Sequence, residues 1–400
     1  MAARTYTARQ LIVDAQQVHA GGGVVVNDAG EVVAVLEGSG ALRRRAEGEL
    51  VDLGEGVLAP GWVNAHAHLE LTGLEGRVEA GEAFPDWIRA LLRERAGLTD
   101  SDFEDAVRDG AKLLLAGGTT TVGDVDSTGA ATRVLAQHQL RAVVLREVLD
   151  LGDAARREEL LAQVNAPLAC GERLSFGISP HAGYTVSDEL LSALGGAGEQ
   201  PVQVHWNETK EEADWESGRS SAFDGLVMPS PQGATLERLD QAGLLRRPAS
   251  LVHANYPGAG DASFLRERGV VIVHCPGAHA WFGRAPFDAS RWMTEGVDVA
   301  LGTDSLAGNE ALDMRLEVAA FRDAHPGVGP ERAFEAATRA GARALGMEGR
   351  VGELCIGAHA DMVLYDCEGP ALEALTSGQP QVQRVWVSGG EISLGTGCTQ

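Results

Sequence analysis

Apolar positions along the chain fall into two regimes. Over roughly the first 55 residues, short runs (LIVDA, GGGVVVND, EVVAVLE) are separated by Gly, Asp and Asn, the pattern of short strands and tight turns. The last 50 or so residues repeat it in DMVLYD and VQRVWVSGGEI. Neither end carries enough strands for a stable sheet of its own. They are therefore expected to combine, residues 1–56 with 351–400, into one small β-sandwich domain.

Between them, over 57–350, apolar β-rich runs alternate with longer helical stretches. The runs end near His66, Asp124, Glu147, Pro180, His205, His253, Cys275 and Asp304. Helical periodicity covers 86–96, 102–116, 155–165, 187–194, 235–244, 261–268 and 330–345. Strand and helix in alternation predict an α/β fold, a (β/α)₈ TIM barrel, whose active site lies at the carboxyl ends of its strands. The polar residues that end these runs fall there. Random placement of the chain's 11 histidines would rarely put so many at such ends. The Gly/Ser/Pro-rich stretch 215–233, after the fifth strand, reads as a loop over the site.

His66 and His68 are i and i+2 on one strand, so their imidazoles face the same way. Alone, the pair reads equally as satisfied core histidines. Asp304 ends an apolar strand, where a carboxylate must be paired, ligated or spent as a helix N-cap. His205 ends another strand with Glu208 three residues on. That suits a ligand and a proton shuttle, or else a carboxylate in the first turn of the next helix. His253 ends a further apolar strand. Together these residues supply three imidazoles and a carboxylate, with one more His and a Glu beside them, a good donor set for zinc. A bound divalent ion lowers the pKa of its water from about 15.7 toward about 7.

The length of 400 residues allows a barrel with an appendage, and 44% apolar residues suffice for a large core. A formal charge of −24 argues against nucleic-acid and anionic-membrane partners. No apolar run approaches a membrane span, and the first residues lack a signal-peptide core. The five cysteines (Cys170, Cys275, Cys355, Cys367, Cys398) form no CxxC pair and fit a reducing, cytoplasmic setting. Nothing here fixes the oligomeric state; a homodimer is compatible. His68-Leu69-Glu70 matches the first half of a cytidine-deaminase signature, but no PCxxC follows. No GxSxG elbow or Walker loop occurs, and Cys275, in an apolar strand, is a poor nucleophile.

APGWVNAHAHLE, GTTTVGD, SPHAGYTVS, VHWNE, LVHANY, HCPGAHAWFGR, LGTDSLAGNE and GAHADMVLYD together resemble the amidohydrolase superfamily almost end to end. Within it, the chain is similar to the deaminase and chlorohydrolase branch. HCPGAHAWFGR and GTDSLAGNEALDM look closest to aminodeoxyfutalosine deaminases, of the futalosine route to menaquinone. The resemblance implies that His66, His68, His205 and Asp304 hold one divalent metal, zinc, with iron or manganese also suited. It implies that Glu208 protonates a ring nitrogen, that His253 orients water, that Asp304 helps deprotonate it, and that His181 and His279 contact substrate. Two-metal members carry a carboxylated Lys on the fourth strand. The only lysines here are Lys112 and Lys210, and neither lies on 174–180.

The implied reaction is hydrolytic deamination of a small heterocyclic substrate, an aminopurine nucleoside-like compound such as 6-aminodeoxyfutalosine. Phe84, Trp87, Trp206, Trp281 and Phe282 are expected to wall a flat ring, and Arg146 or Arg284 to pair with a substrate carboxylate. The same metal chemistry would serve guanine, cytosine, methylthioadenosine or adenosylhomocysteine deamination, triazine dechlorination, or lactam hydrolysis of the imidazolonepropionase kind. A binding protein that has lost its metal is the non-enzymatic alternative.

Overall fold

The computed structural model describes residues 3–394 apart from 80, 82, 167–170, 197, 220–222, 224 and 229–232. Eight parallel strands form one sheet: Trp62–Ala67, Thr119–Asp126, Arg141–Val148, Leu174–Pro180, Val202–Trp206, Ala249–His253, Val271–His274 and Val299–Leu301. Each pairs with its sequence neighbours. The first and last meet through a parallel bridge between Ala67 and Asp304, with Thr303 N donating to His66 O at 3.0 Å. The sheet thus closes into the (β/α)₈ barrel. Closure needs Gly302: a Cβ there would lie 2.8 Å from His66 O and 2.9 Å from His66 Cβ.

Expected helices at 86–96, 102–116, 155–165 and 187–194 form as Phe84–Arg95, Asp100–Ala116, Ala154–Val164 and Asp188–Gly195. The second starts at a capping box between Thr99 and Asp102. The stretch 330–345 is two helices, Pro330–Ala336 and Arg339–Ala344, because Thr338 between them leaves helical geometry (φ −134°, ψ −94°). That break turns the second helix under the barrel floor, where Ala342 and Leu345 pack with Val63, Val125, Val143 and Leu145. Between barrel and helices lies the main core, including Leu114, Val122, Val144, Leu190, Val204, Leu251, Ile272 and Phe321.

The chain ends build the second sheet. Its order is Gly390–Ile392, Gln381–Val387, Met362–Asp366, Val57–Pro60, Arg4–Asp14, Gln17–Val26 and Val32–Glu37, with Glu49–Asp52 also against Arg4–Asp14. Val57–Pro60, sequence-adjacent to the first barrel strand, is the strand on which the two chain ends meet. The sheet is fastened to the barrel by a buried ion pair. Arg141, on the third barrel strand, donates from Nε and Nη2 to Asp361 (2.8 and 3.2 Å), and Ser388 N caps the same carboxylate at 2.7 Å.

Candidate metal and catalytic site

The barrel mouth gathers the strand-end histidines. One ring nitrogen from each of His66, His68 and His205 lies within 4.8 Å of the others, and His66, His253 and Asp304 satisfy the same limit. His68 Nε2 is 3.3 Å from His205 Nε2. Asp304 Oδ1 is 3.9 Å from Nε2 of both His66 and His68.

Neighbours fix the ring orientations. His66 Nδ1 bonds Gln203 Oε1 at 2.7 Å, and Gln203 is itself held by donating to Ala65 O and Ser250 Oγ, each at 3.0 Å. Because the Gln203 amide nitrogen is spent, its oxygen must accept, so Nδ1 carries the His66 proton. His205 Nδ1 donates to the His181 carbonyl at 2.9 Å. Both Nε2 lone pairs therefore point at the same small volume, and His66 Nε2 is buried with no hydrogen-bond partner among the described residues. Burial pushes the His66 imidazole down to about 4 and, helped by His66 and His181, that of His205 to about 3. Burial also drives His68 well below its ordinary value. Three neutral imidazoles and a carboxylate facing one point are the deprotonated donors a cation needs. A tetrahedral ion with ligands at about 2.0–2.1 Å spaces them about 3.4 Å apart, close to the separations here. The residues fit a divalent ion.

Asp304 is not a helix cap. The next helix, Met314–Ala324, is capped by Asp313. Asp304 instead holds a left-handed φ of 59°, as do Asn207 (49°), His253 (75°) and Ala254 (49°), all at carboxyl ends of barrel strands. Such backbone costs about 1 kcal/mol or more per residue and turns side chains out of strict alternation. Burial raises the Asp304 carboxyl to about 6, against the pull of Arg284. Its strand end is held by a hydrogen-bonded chain. Glu317 accepts from Gly277 N and Asn309 Nδ2, Asn309 donates to Thr303 O, and Thr303 and Asn64 exchange two bonds.

Glu208 is buried, not an exposed first-turn carboxylate. The helix Lys210–Glu216 is capped by Thr209. Glu208 Oε2 lies 3.7 Å from His253 Nε2, and its other oxygen accepts from Arg284 Nη2. Burial raises its carboxyl, Arg284 pulls it back, and Asp304 adds to the rise. Glu212, absent from the sequence expectations, accepts from the backbone N–H of Asn207 and Glu208 (3.0 and 2.8 Å) and so fixes the turn carrying Glu208.

Phe84, Trp87 and Phe282 form a ring cluster beside Arg284, with Phe84 stacked on Trp87 at 5.4 Å and Arg284 lying 4.3 Å over Phe282. Trp281 packs edge-on against Phe282. A cavity of about 220 Å³ opens over Phe84 and Phe282, bordered by Thr209, Tyr256 and Arg284; Trp87 and Trp281 pack behind those two rings and do not line it. His181 lies 5.1 Å from His205, ring centre to ring centre. His279 sits at the same distance from His274, which stacks on Phe287 at 4.0 Å in the outer layer.

Two expectations fail on strand parity. Arg146 points outward and donates to the carbonyls of Gln163 and Val164, so it meets no substrate. Trp206, the neighbour of inward-facing His205, is buried in the main core between barrel and helices, where it borders a cavity of about 490 Å³ with Thr235, Leu236 and Phe264 that none of the clustered histidines lines. Of the stretch 215–233, residues 220–222, 224 and 229–232 lie outside those described, while Phe223 and Met228 pack with Tyr184 and Trp215. Lys112 and Lys210 pair with Asp109 and Asp214 on helices, and no lysine is on Leu174–Pro180. Burial raises the Cys275 thiol far above its ordinary value, which disfavours a thiolate. Among the described residues, no helix is long and apolar enough to cross a membrane.

A barrel closed by parallel strands, with histidines and an aspartate at its mouth, defines a metal-hydrolase architecture. Residues 57–392 match the amidohydrolase family, and the chain belongs to it. It is a hydrolase acting on carbon–nitrogen bonds in cyclic amidines, a deaminase. It is 31% identical over 369 residues to the 5-methylthioadenosine/S-adenosylhomocysteine deaminase of Halobacterium salinarum (87% of this chain, 80% of the relative). It is 30% identical over 352 residues to the aminodeoxyfutalosine deaminase of Deinococcus radiodurans (81% of each). Among solved structures it is similar to an adenosine deaminase from Xanthomonas campestris with bound zinc (TM-score 0.83, 26% identity, 98% of this chain and 92% of that one).

Proposed function

We propose that this hydrolase removes the exocyclic amine of an aminopurine nucleoside, with one zinc ion held by His66, His68, His205 and Asp304. The observation that carries the reading is the convergence of these four donors beside Glu208 and His253, with His66 Nε2 left unpartnered. When bound, the ion makes water a nucleophile near neutral pH. Glu208 delivers a proton to the ring nitrogen next to the carbon attacked. His253 orients the water, and Asp304 accepts its proton. The relatives act, by name, on adenosine-type compounds altered at the 5′ position.

Arg284, seated among aromatic rings at the mouth, would receive a substrate carboxylate, as in 6-aminodeoxyfutalosine, once it leaves Glu208. This would place the enzyme in the cytoplasmic futalosine route to menaquinone. A second reading, a neutral 5′ group as in 5-methylthioadenosine, is favoured by the engagement of Arg284 with Glu208. Ammonia release measured across adenosine, 5-methylthioadenosine, S-adenosylhomocysteine, 6-aminodeoxyfutalosine, guanine and a triazine, alongside metal quantification, separates them. No ammonia from any nucleoside by the zinc-loaded protein would overturn the proposal.

A further inference from the structure

His68 differs from its two cluster partners in what holds its ring. Gln203 stands behind His66 Nδ1, and the His181 carbonyl behind His205 Nδ1. Among the described residues, nothing hydrogen-bonds His68 Nδ1. The ring lies edge-on to His66 at 4.8 Å and stacked on His205 at 5.4 Å, centre to centre. Both neighbours are themselves metal-ligand candidates, so neither braces it from behind. Its direction then depends on its backbone.

That backbone is held on both sides. His68 N donates to Asp304 O at 3.4 Å, and the next amide, Leu69 N, donates to Asp124 Oδ1 at 2.8 Å. Asp124 lies on the second barrel strand, Thr119–Asp126, paired with Ala67. Its neighbours face the barrel interior: a Cβ on Gly123 would meet Leu345, and Val125 packs with Val63. Asp124 therefore points to the outer face of the sheet, not into the mouth. The helix Asp100–Ala116 closes on the same turn at Gly110, where a Cβ would lie 2.6 Å from Thr72 Oγ1 and 3.0 Å from Leu69 Cδ2.

Stability does not account for a carboxyl here. Asp124 is fully buried, and its Oδ2 has no partner among the described residues. Burial drives the carboxyl well above its ordinary value, against the Leu69 N–H. An apolar side chain would avoid the cost of the unsatisfied oxygen. What it could not do is hold the Leu69 amide.

We propose that Asp124 is a positioning residue for His68: by fixing the amide that follows, it aims an imidazole that no side chain braces. The proposal rests on the metal reading of the site.

The test measures zinc affinity of the full chain by chelator competition, and the visible absorption of its cobalt(II)-loaded form, in the wild type, Asp124→Leu and Asp124→Asn. Asp124→Leu should weaken zinc binding about 10- to 100-fold and alter the cobalt bands, which follow ligand number and geometry. Asp124→Asn keeps an oxygen for Leu69 N and should restore most of the affinity and the wild-type bands. Asp124→Ala deletes the same acceptor and takes the place of the Leu variant if that chain does not fold. In a His68→Ala background, Asp124→Leu should cost no further affinity, because it acts through the missing ring. Wild-type affinity and bands in Asp124→Leu, an Asn variant as weak as the Leu variant, or full additivity with His68→Ala overturns the role. A wild type that binds neither zinc nor cobalt defeats the metal reading, and the role with it; that result is read before any variant is made.

Discussion

Arg284 donates from Nη2 to Oε1 of Glu208, 76 residues earlier, and both side chains are buried at the barrel mouth. The pair holds the guanidinium and the carboxylate proposed to shuttle protons together until something separates them. Glu208→Gln keeps the shape and removes the proton exchange. Turnover should fall by at least about 10²–10⁴-fold while metal content, by atomic emission, stays at the wild-type value. Normal turnover would remove Glu208 from the reaction.

Arg284→Met frees Glu208 and deletes the cation over Phe282. If the cation also receives a substrate carboxylate, kcat/KM for 6-aminodeoxyfutalosine should drop about 10- to 100-fold more than for adenosine. Steady-state kinetics on both substrates decides it, and equal losses would reject that use of Arg284.

Gln203 lies behind the His66 ring, on its Nδ1 side, and sets the tautomer of that imidazole. Gln203→Leu should weaken metal affinity about 10- to 100-fold, as loss of a partner behind a ligating histidine does. Competition against a chromogenic chelator measures it. Unchanged affinity would mean that the ring orients itself without Gln203.

The Arg141–Asp361 pair should dominate the stability of the junction between barrel and terminal sheet. Removing one partner leaves a buried charge, so Asp361→Ala should cost about 3–5 kcal/mol in urea unfolding. The double change Arg141→Met, Asp361→Leu should recover most of that loss. A double variant no more stable than the single would show that the pair's geometry, and not the relief of a stranded charge, holds the junction.

Burial pushes the Glu317 carboxyl up to about 8, against hydrogen bonds from Gly277 N and Asn309. The folded chain therefore holds this proton over a range in which the unfolded chain has released it. Its contribution to stability is full below the ordinary carboxylate value, about 4.3, and fades as pH rises toward about 8. Glu317→Gln should flatten the loss of urea midpoint between about pH 5 and about pH 8. An unaltered slope would assign the pH dependence to other groups.

The sequence made the barrel and the cluster of histidines and Asp304 at its mouth legible through the same signal, apolar runs that stop at a His or Asp. It misled where residue chemistry was weighed ahead of strand alternation. On Arg141–Val148, Val143, Leu145 and Glu147 share a face. Val143 and Leu145 pack against the floor helix, so Glu147 looks into the mouth and Arg146 away from it. The same parity test on VQVHW excludes Trp206 once His205 is inward. Glu212 and Gln203 were beyond reach for a different reason: their roles depend on which backbone N–H or ring nitrogen they meet, and no pattern in the string encodes that contact.

The second sheet also imposes an order on synthesis. Val57–Pro60 pairs with Arg4–Asp14 on one side and, on the other, with Met362–Asp366, about 300 residues later. At about 5–20 residues per second, a ribosome leaves that edge unfilled for about 15–60 s. A nascent chain therefore carries an open β-edge through the translation of the whole barrel. Fragments stopped before Met362 should expose it permanently, which makes premature termination near the end of this message a route to aggregation.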